Sequence, residues 1–432
     1  MRTMQLRHLA TITNSNVDKL TDPDEVPVRL CNYVDVYKND RITDDMAFMV
    51  ASATQTEIKK FGLKVGDVII TKDSEDRSDI AVPAYVSETA PDLVCGYHLA
   101  LLRGRPQLMS GGFLFWALQS KQAREAFSIA AGGVTRFGLT LDGMKSVVLP
   151  CPDRETQKAI ADFLDFETAR IDQLIEKRSQ FAELVHERRL AMVSAAIVGA
   201  TTDAAPWLGK LPDGWKAERA KVHFRESQQR SETGEEELLT VSHITGVTKR
   251  SEKDVNMFLA ESNEGYKLVE PDDLVINTMW AWMGAMGVSS NRGLISPSYG
   301  IYRPVSEALR PNFVDLMVRS KPFIAEATRR SKGIHSSRLR LYPDAFLDML
   351  LPIPPIEKQD ELLSDLGRRF EKEDQLLLKN RRADELLREF RAALITAAVT
   401  GQIDVTTWAK QGQTDRRLGQ IEEDMSVREA RA

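Results

Sequence analysis

A basic stretch in the second half of the chain offers the clearest chemistry. Between Arg319 and Arg340 the chain carries seven lysines and arginines against one acid, Glu326. Within it, Ser331–Arg338 is typical of a flexible polar loop. Such side chains neutralise phosphates, and arginine can also make a bidentate contact with guanine. The candidates for these contacts are Lys321, Arg329, Arg330, Lys332, His335, Ser336, Arg338 and Arg340.

The first half has a weaker counterpart in Ala131-Gly132-Gly133-Val134-Thr135-Arg136. Glycine would let the backbone approach a phosphate closely, and Arg136 could pair with a phosphate or a guanine. Lys121 is a further candidate because, like Lys321, it follows a predicted helix. A solvated surface loop remains the alternative for both halves.

Two more loops follow a matching pair of predicted buried strands. Thr71–Arg77 mixes charges, which suits base reading better than phosphate neutralisation, and it supplies the candidates Lys72 and Arg77. Asn277–Met283 is richer in aromatic residues. Its two tryptophans alternate as on a strand, so one of them is expected in the core. Asn277 could pair with adenine or could cap a turn.

The sequence lacks the signatures of an enzyme that acts on nucleic acids. It has neither the glycine-rich cofactor turn and Asn/Asp-Pro-Pro-aromatic motif of a methyltransferase nor the phosphate loop of a motor. No histidine lies at metal-ligand spacing from another histidine or a cysteine. Glu155 and Glu357 are interpreted as carboxylates that favour a helix start. We therefore expect no catalytic residues, no metal and no cofactor on this chain.

Composition limits the remaining classes. At 432 residues, two or more domains are expected. The net charge of −5 argues against indiscriminate coating of DNA but is compatible with local basic patches. No apolar run is long enough to span a membrane, and the first residues lack a signal-peptide core. Three widely spaced cysteines fit a reducing cytoplasm, where we expect the protein to act.

The chain contains an internal repeat. Residues 149–199 align without a gap to residues 351–401 at an offset of 202, over 51 positions. Identities along this alignment include the run Asp172-Gln173-Leu174 against Asp374-Gln375-Leu376, together with Arg189 and Arg391. Gapless identity over this length indicates duplication.

The repeated segment predicts a long helix with a coiled-coil seam. Proline precedes each copy and glycine closes it. Heptad position a is assigned to Leu164, Ile171, Val185 and Met192, and in the second copy to Leu366, Leu387 and Leu394. Position d is assigned to Ile160, Leu174, Phe181 and Ala195, and to Leu362, Leu376, Ala383, Phe390 and Ala397. The polar residues Arg178 and Asn380 occupy matching a positions in mid-seam. Two unrelated core helices are the alternative.

The expected fold is α/β (α+β), with two tandem globular domains joined by two long α-helices in an antiparallel coiled coil, as a pseudo-twofold internal repeat. The two bodies share predicted strands (Val68–Ile70 and Leu274–Ile276) and helices (Phe113–Ser120 and Phe313–Ser320). The expected boundaries are 1–148 for the first domain, 149–202 for the first helical spacer, 206–350 for the second domain, 351–405 for the second spacer and 406–432 for a charged tail.

Several segments resemble the specificity subunits of type I restriction–modification systems. They are Asn32-Tyr33-Val34-Asp35-Val36-Tyr37-Lys38-Asn39, the two stretches from "LP-x-P-x-x-E-x-Q" to "A-A-x-x-G", Gly401–Val405 and Leu211–Lys216. The resemblance covers nearly the whole chain. The sequence departs from the pattern at Cys151-Pro152-Asp153, where Pro-Pro is commoner in the family.

The resemblance implies that the two globular domains are target-recognition domains, in a subunit that reads a bipartite site in double-stranded DNA. It also implies docking of two DNA methyltransferase subunits, which would carry S-adenosylmethionine, and through them of a restriction subunit. Apolar helix residues outside the assigned seam are the candidates for this docking, or they thicken the seam: Phe163, Phe166, Ile175, Leu363 and Leu377. The rival interpretations are a coiled-coil adaptor that binds proteins and, behind it, a self-sufficient nuclease.

Overall fold

The computed structural model describes residues 1–198, 207–209, 211–252, 263–333 and 339–405. Three of the candidates, His335, Ser336 and Arg338, and the predicted tail lie outside these residues. The chain divides into two compact units, which we call unit 1 (residues 1–177 and 382–432) and unit 2 (residues 178–381). None of the described helices is both long enough and apolar enough to cross a membrane.

In its described residues, unit 1 combines small sheets with short helices and parts of two long helices. Its strands are β1 (Thr3–Gln5), β2 (Ala10–Asn14), β3 (Val26–Cys31), β4 (Arg41–Ile42), β5 (Met49–Ala53), β6 (Val68–Thr71), β7 (Asp73–Ser74), β8 (Pro83–Val86), β9 (Leu93–Cys95), β10 (Leu99–Gly104), β11 (Ala131–Gly132), β12 (Phe137–Leu139) and β13 (Val148–Pro150). Its helices are α1 (Leu6–Leu9), α2 (Tyr33–Lys38), α3 (Gln55–Phe61), α4 (Gly111–Gln119), α5 (Lys121–Ala130), α6 (Leu141–Ser146) and the first part of α7 (Arg154–Val198). The sheets run β2-β10-β6-β8-β4, β5-β3-β9, β11-β12-β7 and β1-β13.

Unit 2 is built in the same way. Its described strands are β14 (Lys216–Arg219), β15 (Phe224–Glu226), β16 (Leu239–Ser242), β17 (Gly246–Lys249), β18 (Lys267–Val269), β19 (Leu274–Asn277), β20 (Met286–Val288), β21 (Gly293–Ile295), β22 (Tyr299–Pro304) and β23 (Leu350–Ile353). Its described helices are α8 (Ala220–His223), α9 (Pro311–Val318), α10 (Lys321–Arg330), α11 (Pro343–Leu347) and the first part of α12 (Ile356–Thr400). The sheets run β15-β22-β19-β20, β14-β23, β16-β17 and β18-β21.

The shared scaffold that the sequence predicted is confirmed. The predicted strands are β6 and β19, and every residue of both is buried. Successive side chains of a strand point to opposite faces of its sheet. Accordingly, Val68 and Ile70 lie in one apolar core of unit 1, and Ile69 lies in another. In unit 2, Leu274 and Ile276 lie in one core and Val275 lies in a second. Each unit therefore has a sheet between two cores.

A buried glutamine ties each long helix to the body of its own unit. Gln157, on α7, donates to the carbonyls of Leu108 (2.7 Å) and Pro152 (2.9 Å) and accepts from the Ser110 N–H (2.8 Å). On α12, Gln359 repeats the arrangement with Ala308 (2.8 Å), Pro354 (2.9 Å) and the Arg310 N–H (2.8 Å). Both glutamines are fully buried. Repeated side-chain geometry on this scale supports the duplication that the alignment indicated.

The long helices α7 and α12 pack antiparallel within each unit. In unit 2, Arg178 contacts Asn380 while Arg189, further along α7, contacts Phe370, earlier on α12. In unit 1, the start of α7 shares a core with the end of α12, and the later Asp172 pairs with Arg391. The two predicted helices are confirmed, and α12 ends where Gly401 takes the left-handed conformation (φ 75°) that closes many helices.

The two mid-seam polar residues bind each other. The guanidinium of Arg178 donates to the Asn380 carbonyl (3.1 Å), and the Asn380 side chain donates to the Arg178 carbonyl (2.9 Å). At this point along the two helices, the residues at position a are therefore joined by hydrogen bonds and not by apolar packing. Elsewhere the two copies repeat one ion pair, Arg391 with Asp172 (2.9 Å) in unit 1 and Arg189 with Asp374 (2.8 Å) in unit 2.

The predicted seam is wrong at several d positions. Phe181, Leu376 and Phe390 are exposed, whereas the e positions Thr168, Ile175, Ala182, Arg189, Phe370, Leu377, Asp384, Arg391 and Ala398 are buried or half-buried. The helices therefore use positions a and e. Polar residues at position e made this choice hard to predict, because Arg189 and Arg391 point inward and pair there with carboxylates on the facing helix.

The same change affects the docking candidates. Phe163 is buried in the core of unit 1 and the partly buried Leu363 packs against the core of unit 2, so both contribute to packing within their own unit. Ile175 and Leu377 are half-buried at position e, which favours the alternative that they thicken the seam. Phe166 is half-buried, with the Arg170 guanidinium 5.5 Å from its ring centre.

Candidate nucleic-acid interface

In unit 2 two described residues near the end of the basic stretch, Lys332 and Arg340, pair with each other beside a neighbouring loop, and we call this pairing the unit 2 hairpin. Lys332 and Arg340 face each other across an antiparallel bridge, each N–H donating to the other's carbonyl at 2.9 Å. The hairpin joins the loop after β19 where the Leu341 N–H meets the Thr278 carbonyl (3.0 Å) and the Arg340 guanidinium meets the Met279 sulfur (3.7 Å). The side chains of Lys332 and Arg340 are exposed, so both of these predicted cations are accessible to a phosphate or a base, although Arg340 also contacts Met279.

The cations of α10 are held more tightly. Arg329 donates twice to the buried carboxylate of Glu326 (2.7 Å each), and Arg330 also pairs with it. Burial alone would raise the pKa of Glu326, but the hydrogen bonds from the two arginines hold that pKa below its ordinary value. Arg330 is half-buried and lies 3.8 Å from Asp348 as well. Arg329 is thus the more accessible of the two.

The aromatic loop of unit 2 does not follow the predicted strand. Trp280 lies in a turn and Trp282 in the 3-10 helix Ala281–Met283, so the expected alternation is wrong. Trp280 is 50% exposed and Trp282 is half-buried, which leaves neither in the core. Asn277 is buried, and its side chain accepts from the Met279 N–H (3.2 Å), as in the turn-capping alternative. The sequence was misleading here because two tryptophans separated by one residue are compatible with a tight turn as well as with a strand.

Unit 1 brings three of its candidates to one small sheet. Strand β12 pairs with β7, with Phe137 opposite Ser74 and Gly138 opposite Asp73. This pairing joins the 131–136 hairpin to the mixed-charge loop that carries Lys72 and Arg77. The Leu139 N–H also donates to the Lys72 carbonyl (2.8 Å). Hairpin and loop therefore meet in unit 1 as they do in unit 2.

Arg77 and Arg136 differ in how much of each side chain is engaged. The Arg77 guanidinium donates to the Ala131 carbonyl (2.9 Å) and lies 5.3 Å from the centre of the Phe137 ring, so it holds the hairpin in place. Arg136 is exposed at the end of the hairpin turn. Gly133 has a φ of 132°, and a Cβ there would lie 2.0 Å from the Arg136 carbonyl. Glycine is therefore needed for the turn that presents Arg136.

The face of unit 1 is far less basic than that of unit 2. Its loop carries Asp73, Glu75, Asp76 and Asp79 beside the half-buried Lys72. The Asp76 carboxylate accepts from the N–H and the hydroxyl of Ser78 (2.8 Å each), and these bonds lower its pKa, which keeps it ionised. Contacts with phosphates would therefore add little to the affinity of this face for DNA.

Two lysine candidates occupy matching positions at the start of a helix. Lys121 and Lys321 are the first residues of α5 and α10, and both are exposed. Lys121 also lies 3.8 Å from Glu125. The described structure gives neither lysine a contact with its hairpin.

Sequence reasoning missed three residues next to the unit 1 face. Tyr33 and Tyr37 lie on α2, and His98 pairs with Asp73 (3.0 Å). The tyrosines belong to the Asn32–Asn39 motif, so their spacing of four residues on a short helix was a usable signal. His98 could not be found in this way, because its partner lies 25 residues away.

Comparison with known proteins gives a consistent set of relatives. No protein-family model matches the chain. In sequence it is similar to a putative type I restriction enzyme MjaX specificity subunit of Methanocaldococcus jannaschii, at 21% identity over 384 residues that cover 83% of each protein. In structure it is similar to a chain from a study of complex assembly and conformational transition in a type I restriction–modification system, with a TM-score of 0.64 and 14% identity over 92% of this chain and 97% of the other. An HsdS subunit from Thermoanaerobacter tengcongensis gives a TM-score of 0.45 and 15% identity over 93% and 97% of the two chains. The first structural similarity shows a common fold.

Proposed function

We propose that this chain, which is related in sequence and in fold to the specificity subunits of type I restriction enzymes, reads the sequence of double-stranded DNA for partner enzymes. One observation carries the proposal. Each unit presents a hairpin and a loop at the same place on a shared scaffold, yet the side chains there differ. One scaffold with two different faces suits two different half-sites, so the expected target is bipartite.

The two faces should contribute differently to DNA binding, one mainly to affinity and the other mainly to sequence specificity. Lys332, Arg340 and Arg329 of unit 2 suit phosphates, whose neutralisation supplies most of the affinity of DNA-binding proteins. The mixed charges of unit 1 suit base edges, which supply specificity. We further propose that the chain itself is non-catalytic and acts in the cytoplasm, while partner methyltransferase subunits hold S-adenosylmethionine. A restriction subunit would join through those partners.

Selection from random DNA tests this function directly. We expect the chain, purified with its methyltransferase, to enrich fragments that contain two short defined segments separated by a fixed undefined spacer. Sequencing of the bound fraction would give both segments. Enrichment without any sequence preference, or no binding to DNA, would contradict the proposal and favour a protein-binding adaptor.

The docking surface for the methyltransferases should lie on exposed apolar residues of the long helices. Leu184 on α7 and Leu386 on α12 are equivalent in the repeat, and their exposed fractions are 63% and 59%. Other exposed apolar residues on the same helices are Phe181, Leu376, Leu378 and Phe390. One equivalent leucine on each helix would suit two copies of one partner, one for each leucine.

Leu184→Glu and Leu386→Glu should each remove one methyltransferase subunit from the complex, and together both. A buried charge at an interface costs several kcal/mol, enough to lower affinity by about 100-fold or more. Native mass spectrometry measures the stoichiometry. Gln173→Glu and Gln375→Glu add the same charge at exposed equivalent positions and should leave two subunits bound. Full occupancy in the double leucine variant would exclude this surface.

A further inference from the structure

The short helix α2 places two tyrosines side by side at the surface of unit 1. The Asp35 carboxylate accepts from the Asn32 N–H (2.7 Å) at the start of the helix, and Val36 is fully buried beneath it. Tyr33 and Tyr37 lie one turn apart, with ring centres 5.5 Å from each other and planes inclined by 15°. The helix is thus anchored by its cap and its core residue, and it carries a stacked aromatic pair outward.

This pair meets the loop and the hairpin of the unit 1 face. The Tyr37 hydroxyl donates to the Asp79 carboxylate of the loop. Tyr33 stacks on Tyr37, and its hydroxyl lies close enough to Ser74 of β7 and to Arg136 for both to lower its pKa. Burial and Asp79 raise the pKa of Tyr33, and the bond to Asp79 raises that of Tyr37. Both hydroxyls therefore stay protonated at neutral pH, and three chain segments converge on one patch.

The chemistry of this patch favours base edges over phosphates. Its exposed groups include the ring of Tyr37 and the guanidinium of Arg136, while the guanidinium of the also exposed Arg77 is engaged by the hairpin and carboxylates line the loop. Those carboxylates would repel a phosphate but not a base. Arginine pairs in bidentate fashion with the O6 and N7 acceptors of guanine in the major groove. Aromatic rings supply a large contact area at a small cost in conformational entropy.

We propose that Tyr33, Tyr37 and Arg136, which we call the tyrosine–arginine corner, determine sequence specificity in unit 1. Arg136 reads a guanine in one half-site, while Tyr33 positions the arginine and Tyr37 packs against the neighbouring nucleotide. This inference rests on the proposed function and deepens it by assigning a base to three named residues. Arg77 supports the corner from behind by fixing the hairpin.

Methylation motifs in cells test the corner. Modified-base sequencing is done on DNA from cells that express the methyltransferase with the wild-type chain or with Arg136→Ala, Tyr37→Ala, Tyr37→Phe or Tyr33→Phe. We expect Arg136→Ala to lower discrimination at one guanine by roughly 10- to 100-fold, with the other half-site unchanged. Tyr37→Ala should weaken methylation of all sites, and Tyr37→Phe should restore most of it because the ring is kept.

Tyr33→Phe should relax the discrimination at the same guanine as Arg136→Ala, though less, because it keeps the stacked ring and removes only the hydroxyl. Val34→Ala, at an exposed position of the same helix, is the matched control and should leave the motif unchanged. An unaltered motif in Arg136→Ala, together with wild-type levels of methylation in Tyr37→Ala, would overturn the corner while the proposed function stood. Absence of any motif with the wild-type chain would instead contradict the proposed function.

Discussion

Replacing Arg329, Lys332 and Arg340 together by alanine should weaken DNA binding by about 100-fold. It should also reduce the slope of log affinity against log salt concentration by about three, one for each cation removed. All three side chains are exposed on one surface of unit 2, at the end of α10 and at the base of the hairpin. Cations in such positions bind phosphates and release counterions, so their loss acts on every sequence alike. Arg330 is left in place because its side chain is only 24% exposed and both Glu326 and Asp348 engage it, whereas the side chain of Arg329, which also pairs with Glu326, is 68% exposed.

Titrations of labelled DNA at several salt concentrations measure both quantities. The matched control is Lys216→Ala, Lys221→Ala and Arg225→Ala, which removes the same charge from exposed positions of unit 2. Arg225 lies opposite Arg303, four residues along β22 from the Tyr299 end that adjoins the loop. A triple variant with wild-type affinity and salt dependence would show that the hairpin does not bind DNA.

Gln157→Leu and Gln359→Leu should each lower the free energy of unfolding by about 3 to 5 kcal/mol. Leucine has nearly the volume of glutamine but cannot replace its three hydrogen bonds, so two carbonyls and one N–H near each helix start lose their partner. An unpaired buried polar group costs about 1 to 3 kcal/mol. The two substitutions should cost similar amounts, because the two arrangements are equivalent.

Urea denaturation followed by circular dichroism measures the loss. Gln173→Leu and Gln375→Leu are the matched controls, since these glutamines are exposed on the same helices and equivalent in the repeat. Surface substitutions of this kind change stability by about 0.5 kcal/mol at most. If Gln157→Leu cost no more than Gln173→Leu, the glutamine would not be what ties α7 to unit 1.

The sequence predicted the architecture better than it predicted the seam. Duplication was visible because residues that bind across the helices, such as Arg189 and Asp374, had to be kept in both copies. The choice between positions d and e was not visible, since leucine or phenylalanine occurs at both. Phe390 carries an apolar side chain outward while Arg391 turns inward to Asp172. Polarity alone assigned these two residues to the wrong faces.

Single loop residues were harder to predict than elements. Arg77 and Arg136 look alike in sequence, yet only the structure shows that the Arg77 guanidinium binds the hairpin while Arg136 lies at its exposed turn. The same holds for Asn277, whose side chain caps a turn. These differences depend on backbone pairing between segments some 60 residues apart, such as β7 with β12, which no local pattern encodes.

Modified-base sequencing of DNA from cells that carry the neighbouring methyltransferase gene, with and without the gene for this chain, tests the central claim most directly. We expect a split motif, two defined segments around a fixed spacer, to be methylated only when the chain is present. If no motif depended on the chain, despite its expression and an active methyltransferase, the chain would not read DNA sequence.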